Sequence, residues 1–196
     1  MEVSPSEGCA IIPAAMKWNH INAFNALLTE EDEAMESLLR SKSSLGESCL
    51  QVAVRANQGG SIALMLKWLK ERHRGADVAA LFQAVSPVEG CTPILCALKW
   101  NHNNALYAML QHNEGIDSAL HHKSDNGENS LILAARHNNG QSIRVLITTL
   151  REKGFTSGAL VLAEALSPMH NLNASDCAKL WNHVSASLAI AELFPK

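Results

Sequence analysis

An all-α fold, built as a solenoid of repeated helical units, is what this sequence predicts, and three observations predict it. The first is internal repetition. Val3-Ser4-Pro5 returns as Val85-Ser86-Pro87, and Lys17-Trp18-Asn19-His20 returns as Lys99-Trp100-Asn101-His102, both at a shift of 82 residues. Trp181-Asn182-His183 is a third copy, in a chain with 4 Trp. The second is another unit type lying between these copies: Gly46-Glu47-Ser48-Cys49-Leu50 matches Gly127-Glu128-Asn129-Ser130-Leu131. The third is apolar spacing that fits helices throughout and never alternates with period two. Repetition at this scale is the signature of stacked units, each unable to cover its own apolar face. The units fall near 8–45, 46–89, 90–126, 127–170 and 171–196, within one domain spanning 1–196.

The elements follow in order. Glu31 to Leu39 opens acidic and carries Ala34, Met35, Leu38 and Leu39, which suits the positive end of a helix dipole. The Gly46 unit continues through Ala53, Arg55, Asn57, Gly59 and Ser61-Ile62, mirrored by Ala134, Arg136, Asn138, Gly140 and Ser142-Ile143. Ala76 to Val85 is an Ala/Leu-rich helix ending before Pro87. In the Gly90 unit Thr92-Pro93 pairs a hydroxyl cap with Pro at the first helical position, so a short helix runs through Ile94, Leu95, Ala97 and Leu98. Asn101-His102-Asn103 is a turn, and a second helix carries Ala105, Leu106, Ala108, Met109 and Leu110. The Gly127 unit repeats this plan, with helices from Leu131 to Ala135 and Ile143 to Leu150, then another from Ser157 to Leu166 before Pro168. The last unit, from Asn171, has lost the Gly and the Pro.

Composition narrows the function classes. Sixteen Lys and Arg against 19 Asp and Glu give a net charge of −3, without the basic excess of a nucleic-acid protein. No apolar run reaches the ~18 residues of a membrane helix, so no membrane partner is expected. Five cysteines, Cys9, Cys49, Cys91, Cys96 and Cys177, sit among apolar residues with no Cys-x-x-Cys pair, which fits a reducing, cytoplasmic compartment. His121-His122 has no ligand set around it, and no phosphate loop, dinucleotide glycine pattern or nucleophile elbow appears. The expectation is no metal, no cofactor and no enzyme. Glu30, Glu31, Asp32 and Glu33 read as a solvated helix start.

Gly90-Cys91-Thr92-Pro93-Ile94-Leu95-Cys96-Ala97-Leu98-Lys99-Trp100-Asn101-His102 and Gly127-Glu128-Asn129-Ser130-Leu131-Ile132-Leu133-Ala134-Ala135 resemble the ankyrin repeat. The units exceed the family's length, and the excess falls where the family has its β-hairpin, so helical inserts are expected in place of most hairpins. The resemblance implies protein binding on a concave face, through the two variable residues that end each first helix. Here they are Lys17 and Trp18, Arg55 and Ala56, Lys99 and Trp100, Arg136 and His137, and Leu180 and Trp181. Four cations in register would form a basic ladder suited to a protein partner with an acidic segment, and reversing the charge of Lys99 and Arg136 is expected to weaken binding without unfolding the chain. Trp18, Trp100 and Trp181 have two readings, as binding anchors and as side chains packed on neighbouring helices. His20, His102 and His183 take the family's Gly-His position, where His tethers the turn to the backbone. The long units also look like ankyrin-type effectors of intracellular bacterial pathogens, which implies delivery into a host cytosol. Two other readings stay open: a targeting arm of an enzyme, and a binder of anionic nucleic acid or lipid through the ladder.

Overall fold

The computed structural model describes residues 39–195 together with Lys17, Asn22 and Ala26. Trp18, His20, Cys9 and the expected Glu31 helix, save Leu39 at its end, lie outside the described residues. Among the described residues the fold is all-α, with eleven helices and no strand.

Each unit opens with a short first helix: α1 (Cys49–Arg55), α4 (Pro93–Trp100), α7 (Ser130–Arg136) and α10 (Ala174–Leu180). Second helices follow as α2 (Gly59–Glu71), α5 (Asn103–Leu110), α8 (Gly140–Glu152) and α11 (Val184–Leu193), and third helices as α3 (Gly75–Gln83), α6 (Asn113–His121) and α9 (Thr156–Glu164). First helices pack on first helices of adjacent units, second on second and third on third, giving three layers. The first helices are 7 or 8 residues long, too short to persist alone in water. Their stability comes from burial: Leu50, Val54, Ile94, Leu98, Leu131 and Ala135 are fully enclosed between neighbours.

Local sequence sets the boundaries. Ser48 and Gln51 form a reciprocal capping box on α1. Asn129 Oδ1 accepts from Ile132 N at 2.8 Å, and Asn173 Oδ1 from Asp176 N at 2.9 Å. Each first helix ends at a left-handed Asn: Asn57, Asn101, Asn138 and Asn182, with φ of 54°, 59°, 57° and 53°. Asn tolerates this region better than other side-chain-bearing residues, so it can stand where glycine otherwise would.

These asparagines and the residues after them join the units. Asn57 Oδ1 accepts from Ala105 N, and Asn138 Oδ1 from Ala186 N, each at 3.1 Å; Asn101 Oδ1 accepts from Ser142 N at 3.3 Å and Ser142 Oγ at 3.0 Å. In the opposite direction His102 Nδ1 lies 2.7 Å from the Val54 carbonyl, and His183 Nδ1 lies 2.9 Å from that of Ala135. A carbonyl only accepts, so both rings carry the proton on Nδ1. Gln58 reaches the Lys17 carbonyl at 3.2 Å, and Asn139 reaches those of Leu98 and Lys99 at 2.6 and 2.8 Å. The N–H groups of Ala105, Ser142 and Ala186 at the starts of second helices, and the Leu98 and Lys99 carbonyls at the end of α4, thus find partners in the neighbouring unit. The expected His tether is present, and it acts between units.

The doublet spacing has a simple origin. The second helices α2 and α8 have 13 residues each, whereas α5 has 8. Gly46 and Gly127 therefore head long units, and Gly90 heads a short one.

The helices α3, α6 and α9 fill the place expected for hairpins, and each is followed by a closed turn of a kind also present at Ser43. The N–H of Ser43 donates to the Glu47 carbonyl and that of Gly46 donates to the Ser43 carbonyl, both at 2.9 Å. Ser86 with Gly90, Ser124 with Gly127, and Ser167 with Asn171 repeat the pattern. The turn residues Gly46, Gly90, Gly127 and Asn171 all have positive φ. A single antiparallel bridge, Lys42 with Ser48, is the trace of extended pairing among the described residues. Helix α6 has no counterpart in the sequence expectations.

Candidate binding face

Stacking of first helices brings the variable positions into one row. Arg55 ends α1, Lys99 and Trp100 end α4, Arg136 ends α7 with His137 as its C-cap, and Leu180 ends α10 with Trp181 as its C-cap. The Arg55 guanidinium sits 6.0 Å from the centroid of the Trp100 ring in the next unit, within cation–π range. Trp100 and His102 are 5.5 Å apart by ring centroids, and Trp181 lies 5.3 Å from His170 and 5.9 Å from His183. Both indoles are half-buried and pack against the core. Of the two readings of the tryptophans, this packing on the core is the one the structure shows for Trp100 and Trp181. Trp18 lies outside the described residues. Lys17 is half-buried, and its carbonyl receives the Gln58 brace.

The three cations Arg55, Lys99 and Arg136 each hold a carboxylate from the turn that leads into their own first helix. Arg55 pairs with Glu47, Lys99 Nζ lies 2.8 Å from Glu89, and Arg136 Nη1 lies 2.9 Å from Glu128. Glu47 is 2% exposed and Glu128 fully buried, whereas the cations are half-buried. Glu89 holds the Lys99 ammonium above the usual lysine range. The rungs are therefore compensated ion pairs, and the excess of positive charge expected along the ladder is cancelled at these three. Charge reversal at Arg136 would set a carboxylate against buried Glu128, so it perturbs folding as well as the face.

His137, the C-cap of α7, lies near the paired cations Lys99 and Arg136. Partial burial, then the Lys99 and Arg136 cations, holds its imidazole below the usual range; Glu128 opposes this, and His183 adds to it. Leu180 takes the place of a cation in the last unit and is 60% exposed. Apolar residues on the turns beside the row extend it: Leu45, Val88 and Met169 are about half exposed. A Cβ on Gly127 would lie 3.0 Å from Pro168, so successive turns abut.

Sequence reasoning missed the carboxylate half of each rung. Glu47 and Glu128 follow the unit glycine at the same repeat position, eight residues before Arg55 and Arg136, and that recurrence was the available signal. Among the described residues no three His, Cys, Asp or Glu are grouped to hold a metal ion, and no helix is long and apolar enough to cross a membrane. Compared with protein-family models and with curated proteins, the chain matches none.

Proposed function

We propose that this chain is a protein-interaction module of ankyrin-like organisation that holds a partner protein against the row of first-helix ends, and that it acts by binding without catalysing a reaction. The observation that carries this reading is the alignment of Arg55, Trp100, Arg136, His137 and Trp181 from successive units on one surface. Arg and Trp are the side chains that most often anchor interfaces, because they combine large area with directed bonding.

The paired rungs favour a partner of mixed charge, recognised by stacking and shape, over one drawn in by an acidic run. They also disfavour nucleic acid or an anionic lipid surface, whose binding depends on unpaired cations and falls steeply with salt.

Leu180→Glu places a charge at the exposed end of α10 without touching an ion pair. It is expected to abolish capture of the partner from cell extract, while Tyr107→Glu on a second helix leaves capture intact. Equal capture by both variants would refute the reading. Binding of the captured partner should fall less than about tenfold between 50 and 200 mM salt, against roughly a thousandfold or more for a phosphate-backbone binder.

A further inference from the structure

Cys91 and Cys96 are brought together by the start of α4. Thr92 is the N-cap and Pro93 the first helical residue, so Cys91 precedes the cap and Cys96 is the fourth residue of the helix. Side chains at these two places meet, because the incoming chain folds back over the first turn. The last unit has the same geometry with other residues: Cys177 Sγ lies 3.7 Å from the Leu172 carbonyl, as Cys96 Sγ lies 3.6 Å from that of Cys91. The equivalent pairs in the other described units are Glu47 with Val52 and Glu128 with Leu133, so the Gly90 unit alone among them carries two thiols there. Cys49, by contrast, faces the Met65 thioether at 3.6 Å.

We propose that Cys91 and Cys96 form a modification site for peroxide, which closes a disulfide across the start of α4. Cys91 reacts first. The Cys96 thiol and then the Lys99 ammonium favour its thiolate, against burial, Asp125 and Glu89, and the net effect lowers its pKa. Cys96 is pushed well above the usual thiol range by Cys91 and by burial, so it remains a protonated donor. In the first step the Cys91 thiolate attacks one peroxide oxygen, the O–O bond breaks, hydroxide leaves and a sulfenic acid remains. In the second step Cys96 attacks that sulfur. The S–S bond forms, the S–O bond breaks, and the hydroxyl leaves with the Cys96 proton as water. Two thiols are oxidised by two electrons and the peroxide is reduced to water. The two residues are 2% and 3% exposed, and Cys91 closes the turn that carries the exposed Pro87 and Val88, so the site takes a water-sized oxidant and excludes glutathione disulfide. The bond ties the turn carrying Glu89 to the helix carrying Lys99.

The test is treatment of the native protein with hydrogen peroxide, alkylation of remaining thiols after unfolding, and peptide mass spectrometry. Met169, 54% exposed, reports the dose through its sulfoxide. The expected product has lost two hydrogens within the peptide holding Cys91 and Cys96, while Cys49 and Cys177 are alkylated. Cys96→Ala, whose fold circular dichroism checks, is expected to yield a dimedone adduct at Cys91. Full alkylation of Cys91 and Cys96 at a dose that oxidises Met169, or sulfinic acid at either without the disulfide, would overturn the proposal.

Discussion

Glu128 is fully buried, and the Arg136 guanidinium is what meets its charge. Arg136→Ala would leave a carboxylate inside the protein without a counter-charge, a loss of about 3 kcal/mol in unfolding free energy. Urea denaturation measures it, and a loss under 1 kcal/mol would mean that Arg136 contributes little to holding Glu128. Asn101 does two things at once, adopting φ 59° and accepting from Ser142 of the next unit. Asn101→Ala forfeits both, at about 2 kcal/mol, and the same denaturation series checks it. A third residue gives a pH dependence. Burial holds His112 below its ordinary value of 6.5, with Lys70 and Lys153 adding to the shift and Glu114 opposing it. The unfolded chain therefore takes up this proton first as pH falls. The stability owed to neutral His112 is complete above 6.5 and is lost as pH falls through the folded pKa. His112→Gln should flatten the stability profile below neutrality, and an unchanged slope would remove the assignment. At this scale the sequence made the turn at Asn101 and the tethering histidines legible, since both recur in register. It left the carboxylate partners unread, because pairing across eight residues depends on how the turn folds back onto the first helix.

Helix α6 shows what local pattern alone conceals. Asn113–His121 contains Glu114, Gly115 and Asp117, and a glycine inside a helix weakens its propensity. Packing explains the glycine: a Cβ at Gly115 would lie 2.1 Å from the Met109 carbonyl oxygen. The strongly apolar α3 and α9 were legible from composition, and α6 is the same element written in polar residues, locatable through Ser124 standing where Ser86 and Ser167 stand. Close approach also governs the second layer. A Cβ at Gly140 would fall 2.3 Å from the Ser185 carbonyl oxygen, and one at Gly59 would fall 2.5 Å from that of Asn104. Gly140→Ala must push α8 and α11 apart, and a loss of about 1–3 kcal/mol is expected although alanine is the better helix former. A thermal melt of the variant checks this; a rise in Tm would show that the two helices are not in contact there.

At the scale of the whole molecule, stability and the proposed recognition surface draw on the same repetition. Each unit offers carbonyls and side-chain oxygens that its neighbour bonds, so the stack is held by nearest-neighbour terms. The first helices α4 and α7 were legible because duplicated sequence marks them. The pairing of the three cations was not, because it arises where each turn folds back onto the first helix that follows it. The account rests most heavily on the row of first-helix ends as the recognition surface. Photo-crosslinking tests it most directly: a benzophenone amino acid placed at Ala56, His137 or Leu180, and for comparison at Tyr107 or Leu160, is irradiated in cell extract. The account predicts one shared partner band from the first three positions and none from the other two. Crosslinks to that band from Tyr107 or Leu160, with none from the row, would contradict it.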